Sequence, residues 1–178
     1  MIMISKKICL VGDFGVGKTS LIRRFVDRQF SDQYLSTLGV KISSKEVSLA
    51  TAEAEKNNSV KLLIWDLEGH TKFKAIAPNY LQGASGAIVV ADVTRQETID
   101  NLAERLELFF SINPQSLAIL ALNKSDLVDA EIINQLLSQF HRQENERVIA
   151  TYNTSAKTGE NVDDIFDKLS YTMMAKTA

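Results

Sequence analysis

Several features that the chain lacks narrow its class before any motif is read. It has one cysteine, Cys9, so no internal disulfide can form, which fits a reducing compartment. Cys9 sits in an apolar run, where a small buried hydrophobe is its expected role. No apolar stretch approaches the roughly 20 residues of a membrane-spanning helix. The leading segment from Met1 to Lys7 is too short for a signal peptide. No long basic run is present and the net charge is −2, which argues against nucleic acid as the main partner. Internal repeats and low-complexity blocks are absent too. At 178 residues, the chain is expected to form one soluble, cytoplasmic domain over 1–178 with a proper core.

Against these absences stands one complete motif. Gly12-Asp13-Phe14-Gly15-Val16-Gly17-Lys18-Thr19 fits G-x-x-x-x-G-K-[ST] without a gap. Ahead of it, Ile8-Cys9-Leu10-Val11 reads as a buried strand; behind it, Ser20 to Val26 carries apolar residues at helical spacing. The glycines let the backbone wrap a polyphosphate so that successive N–H groups and the helix N-terminus face the charge. Lys18 would reach the terminal phosphates, and the Thr19 hydroxyl would ligate Mg²⁺. The motif predicts nucleoside triphosphate binding.

Strands and helices alternate along the rest. Val40 to Leu49 alternates like a half-exposed strand, Ala50 to Ser59 reads as the turn of a long hairpin, and Val60 to Trp65 returns. Ala87 to Ala91 and Leu117 to Leu122 are continuous apolar runs suited to central parallel strands, and Val148 to Tyr152 is a last strand. Helical patterns cover Thr98 to Phe110, Ala130 to Arg142 and Val162 to about Ala175. The order βαββαβαβαβα predicts an open α/β sheet of six strands, mostly parallel, with one antiparallel edge strand and helices on both faces. Ligands of such sheets bind at the carboxyl ends of the strands.

The other motifs fall at those ends. Asp66, after the strand ending at Trp65, suits a partner of Mg²⁺ acting through water, and Gly69 offers an N–H to a γ-phosphate. Alone, D-x-x-G is usually a turn; in register with a phosphate loop it gains weight. Asn123-Lys124-Ser125-Asp126 follows the apolar run ending at Leu122. The Asp126 carboxylate can accept two guanine N–H groups at once, which adenine does not offer. Asn123 would tie the loops together and the Lys124 stem would lie over the base. In Thr154-Ser155-Ala156-Lys157, the Ala156 N–H could reach guanine O6, although Ser155 or Thr158 could instead cap the last helix.

Together these motifs, with Tyr34 to Val40, Trp65 to His70, Phe73 to Ile76, Tyr80, Gly83-Ala84, Gly86-Ala87 and Asp92-Val93-Thr94, make the chain resemble a Ras-like small GTPase, closest to the Rab branch. The likeness covers essentially the whole chain. It implies GTP/GDP and Mg²⁺ as ligands, and Asp13, Phe14, Gly15, Val16, Gly17, Lys18, Thr19 and Ser20 as the nucleotide loop. By resemblance, Thr37 joins Thr19 and Asp66 at the metal, Phe30 packs edgewise on guanine, and Tyr34 closes over the phosphates. Ser155, Ala156 and Lys157 complete the base site. Effectors and regulators would read switch I, Ser31 to Lys41, and switch II, Leu67 to Tyr80. A monomer is expected.

Departures from the pattern matter as much. His70 stands where small GTPases carry the glutamine that orients the attacking water, so the catalytic set would be His70, Lys18 and Gly69. Phe14 occupies a position that is small in most relatives, where bulk obstructs hydrolysis and an arginine finger. Leu67 and Glu68 replace the usual Thr-Ala. The expected activity is slow GTP hydrolysis; a pseudo-GTPase that stays loaded is the alternative, and an ATP-using kinase is disfavoured by Asp126. The last residues, Met173 to Ala178, contain no cysteine, so no prenyl anchor is expected on this chain.

Overall fold

The structure is a computed structural model that describes residues 3–33, 35–49, 58–69, 77–141 and 145–177. Its elements are β1 (Ile4–Gly12), α1 (Lys18–Asp27), β2 (Val40–Leu49), β3 (Asn58–Leu67), α2 (Pro78–Leu81), β4 (Gly86–Asp92), α3 (Gln96–Asp100), α4 (Leu102–Ile112), β5 (Leu117–Asn123), α5 (Ala130–Phe140), β6 (Val148–Asn153) and α6 (Val162–Thr177). One six-stranded sheet runs β2-β3-β1-β4-β5-β6. All neighbours are parallel except β2, which pairs antiparallel with β3 at the edge. The expected α/β architecture is therefore present. Among the described residues, no helix is long and apolar enough to cross a membrane.

Period-two alternation builds the two halves of the core. From β1, Ile8 and Leu10 join α1 and α6 on one face, with Leu21, Phe25, Ile165, Phe166 and Leu169. Cys9 and Val11 point the other way, into a cluster with Ile99, Leu102, Phe109 and Leu136 from α3, α4 and α5. β4 and β5 are buried at every residue because helices cover both their faces. The Phe25 and Phe166 rings stack with centroids 4.0 Å apart and lock α1 to α6.

Several boundaries differ from the sequence expectation. β1 begins at Ile4 because its polar first half pairs with β3, from Ile4 opposite Val60 onward. β3 begins at Asn58, two residues inside the expected turn, since the hairpin ladder continues to Leu49 opposite Asn58. Residues 50–57 of that turn lie outside the described residues. The helix expected over Thr98 to Phe110 is two helices, α3 and α4, with Asn101 between them. There the Asn101 side chain leaves the helix to donate to Asp13 Oδ2 at 2.7 Å, a bond to a residue far away in sequence.

Candidate functional site

A cavity of about 280 Å³ opens at the carboxyl ends of the strands, lined by Phe14, Gly15, Gly17, Lys18 and Thr19 on one side and by Asn123, Lys124, Asp126 and Ala156 on the other. The loop joining β1 to α1 forms its floor. Lys18 opens α1 and is only 6% exposed. Its ammonium turns back to donate to Gly12 O at 3.0 Å and Asp13 O at 2.9 Å. Burial lowers its pKa from 10.5 to about 8, against the attraction of Asp66 and Asp13. A buried cation whose charge is penalised in this way gains from an anion in the cavity.

Beside it, three oxygens converge from α1, β3 and the segment before β2. Thr19 Oγ1 donates to Asp66 Oδ2 at 2.7 Å and lies 2.5 Å from Thr37 Oγ1. Asp66 is 1% exposed, and its Oδ1 has no hydrogen-bond partner among the described residues. Burial raises the Asp66 carboxyl pKa, although the Thr19 hydrogen bond and the Lys18 charge oppose the rise. Two hydroxyls and a carboxylate with an orphaned oxygen fit a hard, oxygen-seeking cation. No group of three or more His, Cys, Asp or Glu gathers among the described residues, so such a cation would need phosphate oxygens or water to complete its shell.

Gly69, buried two residues beyond β3, rests directly on the phosphate loop. A Cβ there would stand 2.5 Å from Phe14 Cα and 2.7 Å from Phe14 N, so the close approach requires glycine. Glu68 joins the same region to the segment before β2: its N–H donates to Gly39 O at 2.8 Å, and its Oε2 accepts the Gly39 N–H at 3.2 Å. Phe14 is 42% exposed at the cavity wall.

On the other side, Asn123 Nδ2 donates to Val16 O at 2.9 Å while its Oδ1 accepts from Thr154 Oγ1 at 3.1 Å. Lys124, in a left-handed turn with φ 64°, donates to Gly15 O at 2.8 Å and pairs with Asp92 at 2.7 Å. Burial pushes Asp92 up, but hydrogen bonds from Lys124 and Thr94 outweigh it and hold its carboxyl below the usual value. Asp126 is exposed on the cavity wall, and its Oδ1 accepts from Ser155 Oγ at 2.7 Å. Ala156 is buried beside it and Lys157 lies at the rim. Neither Ser155 nor Thr158 caps α6, which begins only at Val162; the Ser155 hydroxyl donates to Asp126 and accepts the Thr158 N–H at 3.1 Å. Phe30 lines the cavity and packs partly on the core.

The structure thus gathers Asp13 through Ser20, Phe30, Thr37, Asp66, Gly69, Asn123, Lys124, Asp126 and Ser155 through Lys157 around one end of the sheet. Tyr34 and His70, with residues 71–76 of the expected second switch, lie outside the described residues. Sequence reading missed Arg95, Asn101 and Arg105. Arg105 is 11% exposed and grips Asp13 Oδ1 through Nε at 3.2 Å and Nη2 at 2.9 Å. An arginine on a polar helix face carries no sequence signal that separates it from a solvated one.

The pattern shared by the Ras family matches residues 7–175. The Ras-related protein RABF2a of Arabidopsis thaliana is 37% identical over 94% of this chain and 80% of its own length. The GTP-binding protein ypt4 of Schizosaccharomyces pombe is 34% identical over 96% of this chain and 72% of its own. The Ras-related protein Rab5 of Nicotiana tabacum is 36% identical over 94% and 80%. A phosphate loop leading into α1, an acidic strand end facing it and an Asn-Lys-Ser-Asp turn across the cavity are all carried on the sheet that these relatives imply. The chain belongs to the Ras family of small GTP-binding proteins, in its Rab-like branch.

Proposed function

We propose that this protein is a guanine-nucleotide switch that binds GTP and GDP with Mg²⁺ and resets by slow hydrolysis. The observation that carries the slow reset is Phe14, a large side chain 42% exposed on the cavity wall, with the Gly69 backbone packed against its own. Catalysis of this class is mostly positioning of water and stabilisation of charge on the transferring phosphoryl group. A phenyl ring at this wall takes up space that a water or an incoming arginine needs, and an arginine contact is worth about 10³–10⁵ in rate where it operates. His70 in place of glutamine adds to the effect.

The rest of the site divides the work. Lys18 supplies a desolvated positive charge for the β- and γ-phosphates, and the loop N–H groups bind the same oxygens. Thr19, Thr37 and Asp66 would hold Mg²⁺, which would neutralise phosphate charge. Asp126, held by Ser155, selects guanine; Ala156 adds its N–H to O6, and Phe30 and the Lys124 stem flank the base. Partner proteins would read the segments 31–41 and 67–80; in the first, Leu35 and Leu38 are 57% and 83% exposed. Supporting a second reading, a pseudo-GTPase that stays loaded, is the pair of Glu68–Gly39 hydrogen bonds that join the two switches.

The deciding experiment is single-turnover GTP hydrolysis with Mg²⁺, followed by chromatography. The parent should turn over slowly, His70→Gln should be faster, and His70→Gln with Phe14→Gly faster still. A parent as fast as unimpaired small GTPases, or a slower His70→Gln variant, would overturn the slow reset. No turnover in parent or double variant, with GTP retained through purification, would select the loaded module.

A further inference from the structure

We propose that Arg95 is a positioning residue for the nucleotide: by holding the Phe14 carbonyl outward, it turns the Gly15 N–H into the phosphate cradle and ties that peptide to the base site through Asp92. The proposal rests on the GTP-binding reading and extends it to a residue outside the nucleotide motifs.

In a planar trans peptide, the carbonyl and the following N–H point in opposite directions. Whatever holds the loop's carbonyls away from the cavity therefore aims its N–H groups into it. Each carbonyl from Gly12 to Gly17 has a hydrogen-bond partner, and among those partners Arg95 and Leu21 are the two that do not line the cavity. Lys18 takes those of Gly12 and Asp13, at 3.0 and 2.9 Å. Lys124 takes Gly15 at 2.8 Å, Asn123 takes Val16 at 2.9 Å, and the Leu21 N–H takes Gly17 at 3.0 Å. The Phe14 carbonyl is held by Arg95 Nη2 at 2.6 Å.

The Phe14–Gly15 peptide has the most need of this restraint. Gly15 sits at φ 75° and pays little to rotate, so a flip here would turn a carbonyl toward the phosphates. Arg95 opposes that flip with a charged donor, which is stronger than a neutral one. Its aim is fixed in turn by Asp92, 2% exposed, whose Oδ2 accepts Arg95 Nε at 3.3 Å and Lys124 Nζ at 2.7 Å. One buried carboxylate thus positions two cations that cap neighbouring carbonyls, one of them on the base-side turn.

A merely structural role is separable. What Arg95 gives to α3 comes from its backbone: its N–H donates to Asp92 O at 3.0 Å, and its carbonyl accepts the Thr98 N–H at 3.0 Å. Side-chain substitution leaves both in place. The other side-chain ion pair, to Glu97 at 3.9 Å, joins groups 36% and 73% exposed and adds little.

The test is release of fluorescently labelled GDP and GTP from the full chain, paired with ³¹P spectra of the bound nucleotide. Arg95→Ala should speed release of both nucleotides roughly tenfold, the loss expected for one charged hydrogen bond, and shift the phosphate resonances. Arg95→Lys, with one donating nitrogen in place of a fork, should fall between Arg95→Ala and the parent. Glu97→Ala should release nucleotide as the parent does. Release from Arg95→Ala within about twofold of the parent, with unmoved resonances, would overturn the proposal, as would equal acceleration by Glu97→Ala. If Arg95→Ala proves unstable, Arg95→Lys decides: intermediate release supports the proposal and parental release refutes it. A parent that holds no guanine nucleotide would instead refute the underlying GTP-binding reading.

Discussion

Replacing Asn123 with alanine should cost more than any loss at the base itself. Asn123 is 1% exposed and touches two chain segments at once. Its amide nitrogen donates to Val16 O at 2.9 Å, and its amide oxygen accepts from the Thr154 hydroxyl at 3.1 Å. Thr154 is fully buried, so alanine leaves the Thr154 hydroxyl and the Val16 carbonyl without these partners in a place water does not easily reach. At about 1–3 kcal/mol for each orphaned group, the loss is about 2–6 kcal/mol. For a domain of this size that is a fall in melting midpoint on the order of 10 °C. Urea melts of the nucleotide-free protein measure this cost directly, before any ligand enters. Asn123→Asp sharpens the test. It keeps an acceptor for Thr154 but sets a carboxylate against the Val16 carbonyl, so it should not restore stability. If Asn123→Ala unfolds within about 0.5 kcal/mol of the parent, the two interior hydrogen bonds do not hold the loop and the reasoning fails.

Three further outcomes are expected. Asp126→Asn should lose GTP affinity and gain xanthosine triphosphate, read by competition with a fluorescent nucleotide; equal ATP and GTP binding by the parent would refute the guanine assignment. Phe166→Ala removes a fully buried ring stacked 4.0 Å from Phe25 and should destabilise the fold by about 3–5 kcal/mol in urea melts, with no change if the stack is not formed. Burial pushes the Cys9 thiol from 9.0 up to about 12, against the nearby Lys7 charge. The native protein should therefore resist thiol reagents at pH 8 while urea-unfolded protein reacts. Because the folded value is the higher one, this stability contribution is whole below pH 9.0 and is lost as pH rises toward about 12. Rapid labelling of the native chain would contradict the burial.

The phosphate loop could be read from eight consecutive residues because its geometry is set by local glycine and lysine placement, next to an apolar run and a helical pattern. The Asp66 strand end and the Asn123-Lys124-Ser125-Asp126 turn were likewise visible, since each follows directly on an apolar run of the sequence. Central strands β4 and β5 announced themselves by unbroken apolar composition, which only a sheet covered on both faces requires. The first half of β1 did not: it is polar and half-exposed, and it is a strand only because β3 pairs with it. The break at Asn101 was hidden for a related reason. Its sequence neighbours favour a continuous helix, and its partner Asp13 is distant along the chain. The sequence alone therefore determined the order of elements, the phosphate loop and the kind of ligand, all products of short-range spacing. Only the tertiary structure decided that Arg95, Asn101 and Arg105 brace that loop from outside. Their partners, Phe14 and Asp13, are brought within hydrogen-bond reach by the pairing of β1 with β4, and no local preference of an arginine or asparagine encodes that meeting.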